Sequence, residues 1–179
     1  MAQMRVGEKV ELTGPLGNSW EGFLPAEGKV ALVGGGVGIA PLTGLVEEHP
    51  EYDFHFYAGF KRGFRDKEEE AAMLGAAVNS KKIVITAEDS WTPLRGLITE
   101  FFDEKDGYSA VFACGPAPML KAVKEKCEKA SIPCFLSLER RMACGLGACL
   151  GCTIHTVNGN KRCCADGPIF AAQELLLDE

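Results

Sequence analysis

The chain has no surplus of basic residues, no long uninterrupted apolar run, no internal repeat and no low-complexity stretch. Its 19 Lys and Arg stand against 25 Asp and Glu, a net charge of -6. Nucleic acid and anionic membrane surfaces both reward a basic face, so neither is an expected partner. Gly or Pro interrupts the longest apolar stretches, and the opening "MAQMRVGEKVELTG" has no apolar centre of a signal peptide. The expected setting is therefore the cytoplasm. In a reducing cytosol, eight cysteines signal metal or redox chemistry more readily than a disulfide scaffold. At 179 residues and 46% hydrophobic, the chain can bury one sizeable core or two small ones.

What is present begins with alternation. "KVALVGG" (29–35), "DFHFYAGF" (53–60), "KIVITA" (82–87), "SAVFACG" (109–115) and "CFLSLE" (134–139) read as strands rich in β-branched and aromatic residues. Between them, "PLTGLVEEH", "DKEEEAAMLGAAV", "LRGLITEFFDE" and "APMLKAVKEKCEKA" carry helical spacing. The acidic run Asp66 to Glu70 reads as the first turns of a helix, where carboxylates suit the dipole. A βαβα order predicts an α/β fold with a parallel sheet covered on both faces. Such a sheet binds ligands beyond the carboxyl ends of its strands.

At the end of the first strand stands "GGGVGIAPL", Gly34 to Leu42. Glycines 34, 35, 36 and 38 are expected to let the backbone approach a pyrophosphate, and Pro41 to start the next helix. The usual dinucleotide fingerprint is incomplete, because Ile39 occupies its third glycine and "AGFKR" closes the second strand without an acid. Lys61 and Arg62 there are candidates for a 2′-phosphate or plain solvent-facing residues. A second loop, Cys114-Gly115-Pro116-Ala117-Pro118-Met119, falls on the same sheet edge. The two together resemble the pyridine-nucleotide domain of the ferredoxin-reductase superfamily. The expected nucleotide-binding residues are Gly34, Gly35, Gly36, Val37, Gly38, Ile39, Ala40, Pro41, Thr86, Cys114, Gly115, Pro116, Pro118 and Met119.

The sulfur is unevenly spread. Cys114, Cys127 and Cys134 lie in apolar or helical settings and read as small buried hydrophobes. The other five crowd between Cys144 and Cys164. Cys144-x4-Cys149-x2-Cys152, with a later cysteine, is the plant-type [2Fe-2S] spacing. Gly145, Gly147 and Gly151 are expected to supply unusual backbone angles, so that freed N–H groups reach the cluster sulfurs. A structural zinc site is the alternative, but zinc usually takes two separated close pairs or Cys/His sets. The fourth ligand is Cys163 or Cys164, both at the end of an apparent hairpin, "TIHTVNGNKRCC". Adjacent strand residues face opposite ways, so only one can serve, and the spacing does not say which.

"ERRMACGLGACLGC", "CADGPIF", "GGGVGIAPL", "CGPAPML" and "GPLGNSW" together resemble the electron-transfer subunit of NAD-dependent (type 1B) dihydroorotate dehydrogenase. The resemblance implies Cys164 as the fourth ligand, giving a metal set of Cys144, Cys149, Cys152 and Cys164. It also implies NAD, FAD and a [2Fe-2S] cluster as cofactors. The implied partner is an FMN-containing catalytic subunit, joined in a hetero-oligomer that passes electrons from dihydroorotate to NAD in pyrimidine biosynthesis. Residues 1–25 then read as the remnant of an FAD-binding β-barrel, 26–138 as the NAD-binding α/β domain, and 139–179 as a small β-rich cluster domain.

There are departures from the family pattern. Val6 to Trp20 resembles only the barrel's last strand and exit loop, with about 80 residues of an ordinary small domain wanting upstream. The expectation is weak FAD retention and no NADH-driven turnover by this chain alone. The segment between Cys152 and Cys164 is short for the family. Other readings are a subunit of a sulfide dehydrogenase or ferredoxin:NADP oxidoreductase, or a non-catalytic cluster carrier.

Overall fold

Four of the six residues that follow Lys29 in "KVALVGG" are aliphatic, and the chain puts them at the centre. The computed structural model describes residues 4–89 and 94–177. In it β1 (Lys29–Gly35) is buried from Val30 onward. It pairs in parallel with β2 (Asp53–Phe60) on one side and β5 (Tyr108–Cys114) on the other. The sheet extends outward through β3 (Lys82–Ala87) to the two-residue β4 (Leu94–Arg95), and on the far side to β6 (Cys134–Ser137). Helices α1 (Ala40–Glu48), α2 (Lys67–Leu74), α3 (Ile98–Phe101) and α4 (Ala117–Ala130) connect these strands. One apolar cluster forms on each face, around Phe54, Phe56 and Phe112 on one and Tyr57, Val111 and Leu136 on the other. That is the doubly covered parallel sheet expected from the alternation.

Local chemistry sets the helix ends. The Asp66 carboxylate caps α2 by accepting the Glu69 N–H at 2.8 Å, so the acidic run does lie in a first turn. Gly75, at φ +50°, then ends the α-helix, and 75–79 continue as a tighter 3₁₀ turn. "LRGLITEFFDE" departs further from expectation. Only Ile98–Phe101 is helical, because Gly96 at φ +137° cannot join a helix and leaves Leu94–Arg95 free to pair with β3. Among the described residues no helix is long and apolar enough to cross a membrane.

The segment after β6 returns to the main sheet. Its hairpin, β7 (Thr153–Thr156) and β8 (Gly159–Arg162), stands alone as a two-stranded sheet. A helical turn, α5 (Cys163–Asp166), follows, and β9 (Ile169–Ala171) then returns to pair antiparallel with β6. Ile169, Phe170 and Leu175 enter the two main apolar clusters. The boundary expected at residue 139 is thus crossed by a sheet edge.

The expected barrel strand within Val6 to Trp20 is also different. No strand is assigned among residues 4–19, and Val6 and Leu12 are exposed. Strand backbone needs a partner ladder, and no neighbouring strand offers one to this stretch among the described residues. Its last part is anchored instead: Asn18 donates from Nδ2 to the Ile169 carbonyl at 2.8 Å and accepts the Ile169 N–H at 3.0 Å. Trp20 stacks on Phe112, 5.0 Å between ring centroids.

Candidate functional site

All the parallel strands end on one edge, and two groups of residues gather there. The first is a cleft of about 460 Å³. The strand register aligns Gly35 with Gly59 and Gly59 with Thr86, forming a row across three strand ends. Gly35, Gly36, Thr86, Pro116, Pro118 and Met119 of the expected set line the cleft. Thr86 is fully buried, and its hydroxyl oxygen has no hydrogen-bond partner among the described residues. A buried orphan hydroxyl beside a cleft suits a polar ligand that supplies the missing bond.

The glycines divide into two kinds. Only Gly36 meets the expectation of an open approach, with φ +55° and nothing near where a side chain would stand. At the others a side chain would meet protein. A Cβ on Gly35 would sit 2.7 Å from Pro116 and 2.8 Å from the Met119 sulfur. One on Gly38 would press into the Cys114 carbonyl, and one on Gly34 into Ile39. Gly115 packs on Gly35 in return. The glycine loop and the Cys114–Pro116 loop are thus locked together, and Gly34, Gly38, Ile39, Cys114 and Gly115 form that lock behind the cleft. Val37, Ala40 and Pro41 are exposed and lie off its lining. Burial pushes the Cys114 thiol up from its ordinary value, as suits a packing residue.

Sequence reasoning missed Gly59, Glu88 and the 96–99 segment of the cleft wall. Gly59 had a readable signal, as the penultimate residue of a strand next to the glycine loop. Of the two basic candidates, Lys61 lines the cleft and Arg62 is not part of it.

The second group is the sulfur loop between β6 and β7. Gly145 (φ +68°) and Gly147 (φ +77°) do adopt left-handed angles, but the third such residue is Leu150 (φ +59°) rather than Gly151. These angles turn backbone N–H groups inward. The Cys144 sulfur accepts from Leu146 at 3.4 Å and Cys149 at 3.5 Å. Cys149 accepts from Gly151 at 3.4 Å, Cys152 from Cys164 at 3.4 Å, and Cys164 from Gly147 at 3.2 Å. Two of these sulfurs titrate easily. The Cys149 and Leu146 N–H groups, with the Cys149 thiol, hold the Cys144 thiol down at about 6. The Cys164 N–H, then its thiol, lowers Cys152. Cys164 moves up, chiefly because it donates to Cys152 and is buried.

The side-chain contacts sort the sulfurs into pairs, Cys144 with Cys149 and Cys152 with Cys164. Among the described residues no three cysteine sulfurs lie within 4.8 Å of one another. A single tetrahedral ion wants four sulfurs about equally close, whereas two irons want two pairs. Cys163 and Cys164 are not on a strand, so alternation does not separate them; the helical turn α5 does. Cys163 Sγ points away and donates to the Leu138 carbonyl at 2.9 Å, while Cys164 joins the loop. Burial pushes the Cys163 thiol up.

Against known proteins, a model of the iron-sulfur cluster binding domain of dihydroorotate dehydrogenase B matches residues 139–176. The dihydroorotate dehydrogenase B (NAD(+)) electron transfer subunit of Clostridium acetobutylicum is 35% identical over 179 residues, which is 100% of this chain and 70% of that protein. Its counterpart from Caldanaerobacter subterraneus subsp. tengcongensis is 42% identical over 182 residues, 98% of this chain and 70% of that protein. Among solved structures, a chain from an NADH-dependent reduced ferredoxin-NADP oxidoreductase superposes with a TM-score of 0.74 at 27% identity. That match covers 94% of this chain and 60% of the other.

Proposed function

The chain belongs to the family of dihydroorotate dehydrogenase B electron-transfer subunits, and from that premise we propose that it conducts electrons between a nicotinamide dinucleotide and a catalytic partner. The partner is an FMN-bearing subunit that oxidises dihydroorotate to orotate, in the cytoplasm, and NAD receives the electrons. The observation that carries this reading is the pair of sulfur pairs, each sulfur supplied with a backbone N–H.

Cys144 and Cys149 hold one iron of a [2Fe-2S] cluster in this reading, and Cys152 and Cys164 the other. The N–H groups of Leu146, Gly147, Cys149, Gly151 and Cys164 offset the negative charge the thiolates bring. Residues 26–138 supply the nucleotide site, with β9 of the cluster segment closing their sheet edge. Gly36 gives the dinucleotide backbone room, Thr86 offers its hydroxyl, and Met119 and Pro116 form an apolar wall. When bound, the dinucleotide exchanges a hydride, the cluster single electrons, and the family's FAD converts one into the other. No residue of this chain is assigned to FAD.

The test is to purify the protein with its FMN-bearing partner, supply FAD, and follow NAD reduction on adding dihydroorotate. Turnover that disappears in the Cys149→Ser protein supports the reading. The likeness to the ferredoxin-NADP oxidoreductase keeps a second reading in play, and turnover with reduced ferredoxin but not dihydroorotate would favour it.

A further inference from the structure

Arg162 lies two hydrogen bonds from the Cys164 sulfur and has no part in the ligand set. Its guanidinium forks onto Asp166, Nε to Oδ2 at 2.9 Å and Nη2 to Oδ1 at 3.0 Å. The Asp166 carboxylate also accepts the Arg162 backbone N–H at 2.7 Å, so the side chain is held at both ends of α5's first turn. The remaining nitrogen, Nη1, donates to the Gly147 carbonyl at 3.2 Å. Gly147 is itself buried in a left-handed conformation, and its N–H is the donor to the Cys164 sulfur. A Cβ there would stand 3.0 Å from Ala165 and 3.1 Å from Arg162 Nη1. One residue of the loop is therefore clamped from behind by a cation while it faces a sulfur.

We propose that Arg162 is a positioning residue that tunes the reduction potential of the cluster site, through its hold on Gly147 and through its charge. The proposal rests on the cluster reading given above. Reduction adds negative charge at the sulfurs, so a nearby cation favours the reduced state and a nearby anion opposes it. The fork gives Arg162 a fixed distance from the site, which a flexible ammonium could not keep. Asp166 offsets part of the charge, and the two residues act in opposite senses. The side chain is 40% exposed, so solvent and salt screen the effect.

The opposed signs make the test sharp. Arg162→Gln, Arg162→Lys and Asp166→Asn proteins are loaded with iron and sulfide, and iron content is measured first. Two irons per wild-type chain is the requirement of the cluster reading itself; its absence sinks that reading, not this one. In redox titrations followed by electron paramagnetic resonance, Arg162→Gln should lower the reduced-to-oxidised ratio at a fixed poise by about threefold, the scale of an exposed charge pair. Asp166→Asn should raise it by a similar factor. Arg162→Lys, which keeps the charge and loses the fork, should recover part of the change. A purely structural brace would move both neutral variants the same way, and that outcome overturns the proposal. So does an unchanged ratio in loaded Arg162→Gln. If that variant fails to load iron, Asp166→Asn decides: no upward shift there refutes the proposal.

Discussion

Gly36 and Gly38 are two residues apart in one loop, and the structure predicts different consequences for changing them to alanine. At Gly38 the new methyl carbon would lie 2.6 Å from the Cys114 carbonyl carbon and 2.9 Å from the Gly115 nitrogen. Both are backbone atoms of β5 and its exit, so the glycine loop must lift off its neighbour. Overpacking of this kind costs about 1–3 kcal/mol, and rigid backbone on the far side places it near the upper end. At Gly36 nothing stands within 4 Å, and the cost is that of a left-handed angle of +55°, about 1–2 kcal/mol. Gly36, however, lines the cleft. NADH affinity of Gly36→Ala should fall about tenfold, equivalent to about 1.4 kcal/mol. Denaturant unfolding gives the stabilities, and fluorescence titration with NADH the affinities, with iron content as a control for the distant site. Gly38→Ala that is as stable as the wild type would refute the locked-loop argument. Gly36→Ala with unchanged NADH affinity would refute the placement of the nucleotide.

Cys164→Ser should bleach the visible bands of the loaded protein, as should Cys144→Ser, Cys149→Ser and Cys152→Ser, whereas Cys163→Ser should leave them nearly intact because its thiol faces Leu138; absorption spectra decide. Phe170→Ala, at a site 2% exposed in β9, should cost about 3–5 kcal/mol in denaturant unfolding and loosen the cluster segment from the sheet edge. His55 titrates below its ordinary 6.5, mainly through burial, with Lys82 and Lys29 adding to the shift against Asp53 and Asp106. A group whose folded pKa is depressed stabilises the fold above its unfolded pKa, so stability should decline as pH falls through 6.5. His55→Gln should decline less between pH values about one unit above and below that point, read as denaturation midpoints.

Strands β1, β2 and β3 and helix α4 keep the bounds that their sequence patterns predict, because each is a continuous local signal: a buried apolar run or a 3.6-residue stripe. What escaped the sequence is mostly contact between distant segments. Gly38 reads as a phosphate-loop glycine, and nothing local announces that the Cys114 carbonyl also stands against it. The return of β9 to β6, and the Asn18 clamp on Ile169, likewise join segments far apart in the chain. In the cluster loop the cysteine spacing was legible, since ligation imposes it directly. The choice between Cys163 and Cys164 was not, because it depends on a helical turn that a hairpin pattern conceals. Leu150 taking the left-handed angle expected of Gly151 shows the same limit: a loop wrapped on its own sulfurs can hold a bulky residue where isolated propensity forbids it.

In the proposed cluster, four particular sulfurs hold two irons. The most direct measurement is to load the protein with iron and sulfide without oxygen, reduce it with dithionite, and count spins by electron paramagnetic resonance against chemically determined iron. A [2Fe-2S] cluster at Cys144, Cys149, Cys152 and Cys164 predicts two irons and two sulfides per chain, with one unpaired spin per two irons on reduction. One metal per chain with no acid-labile sulfide, in a protein that stays colourless, would contradict it.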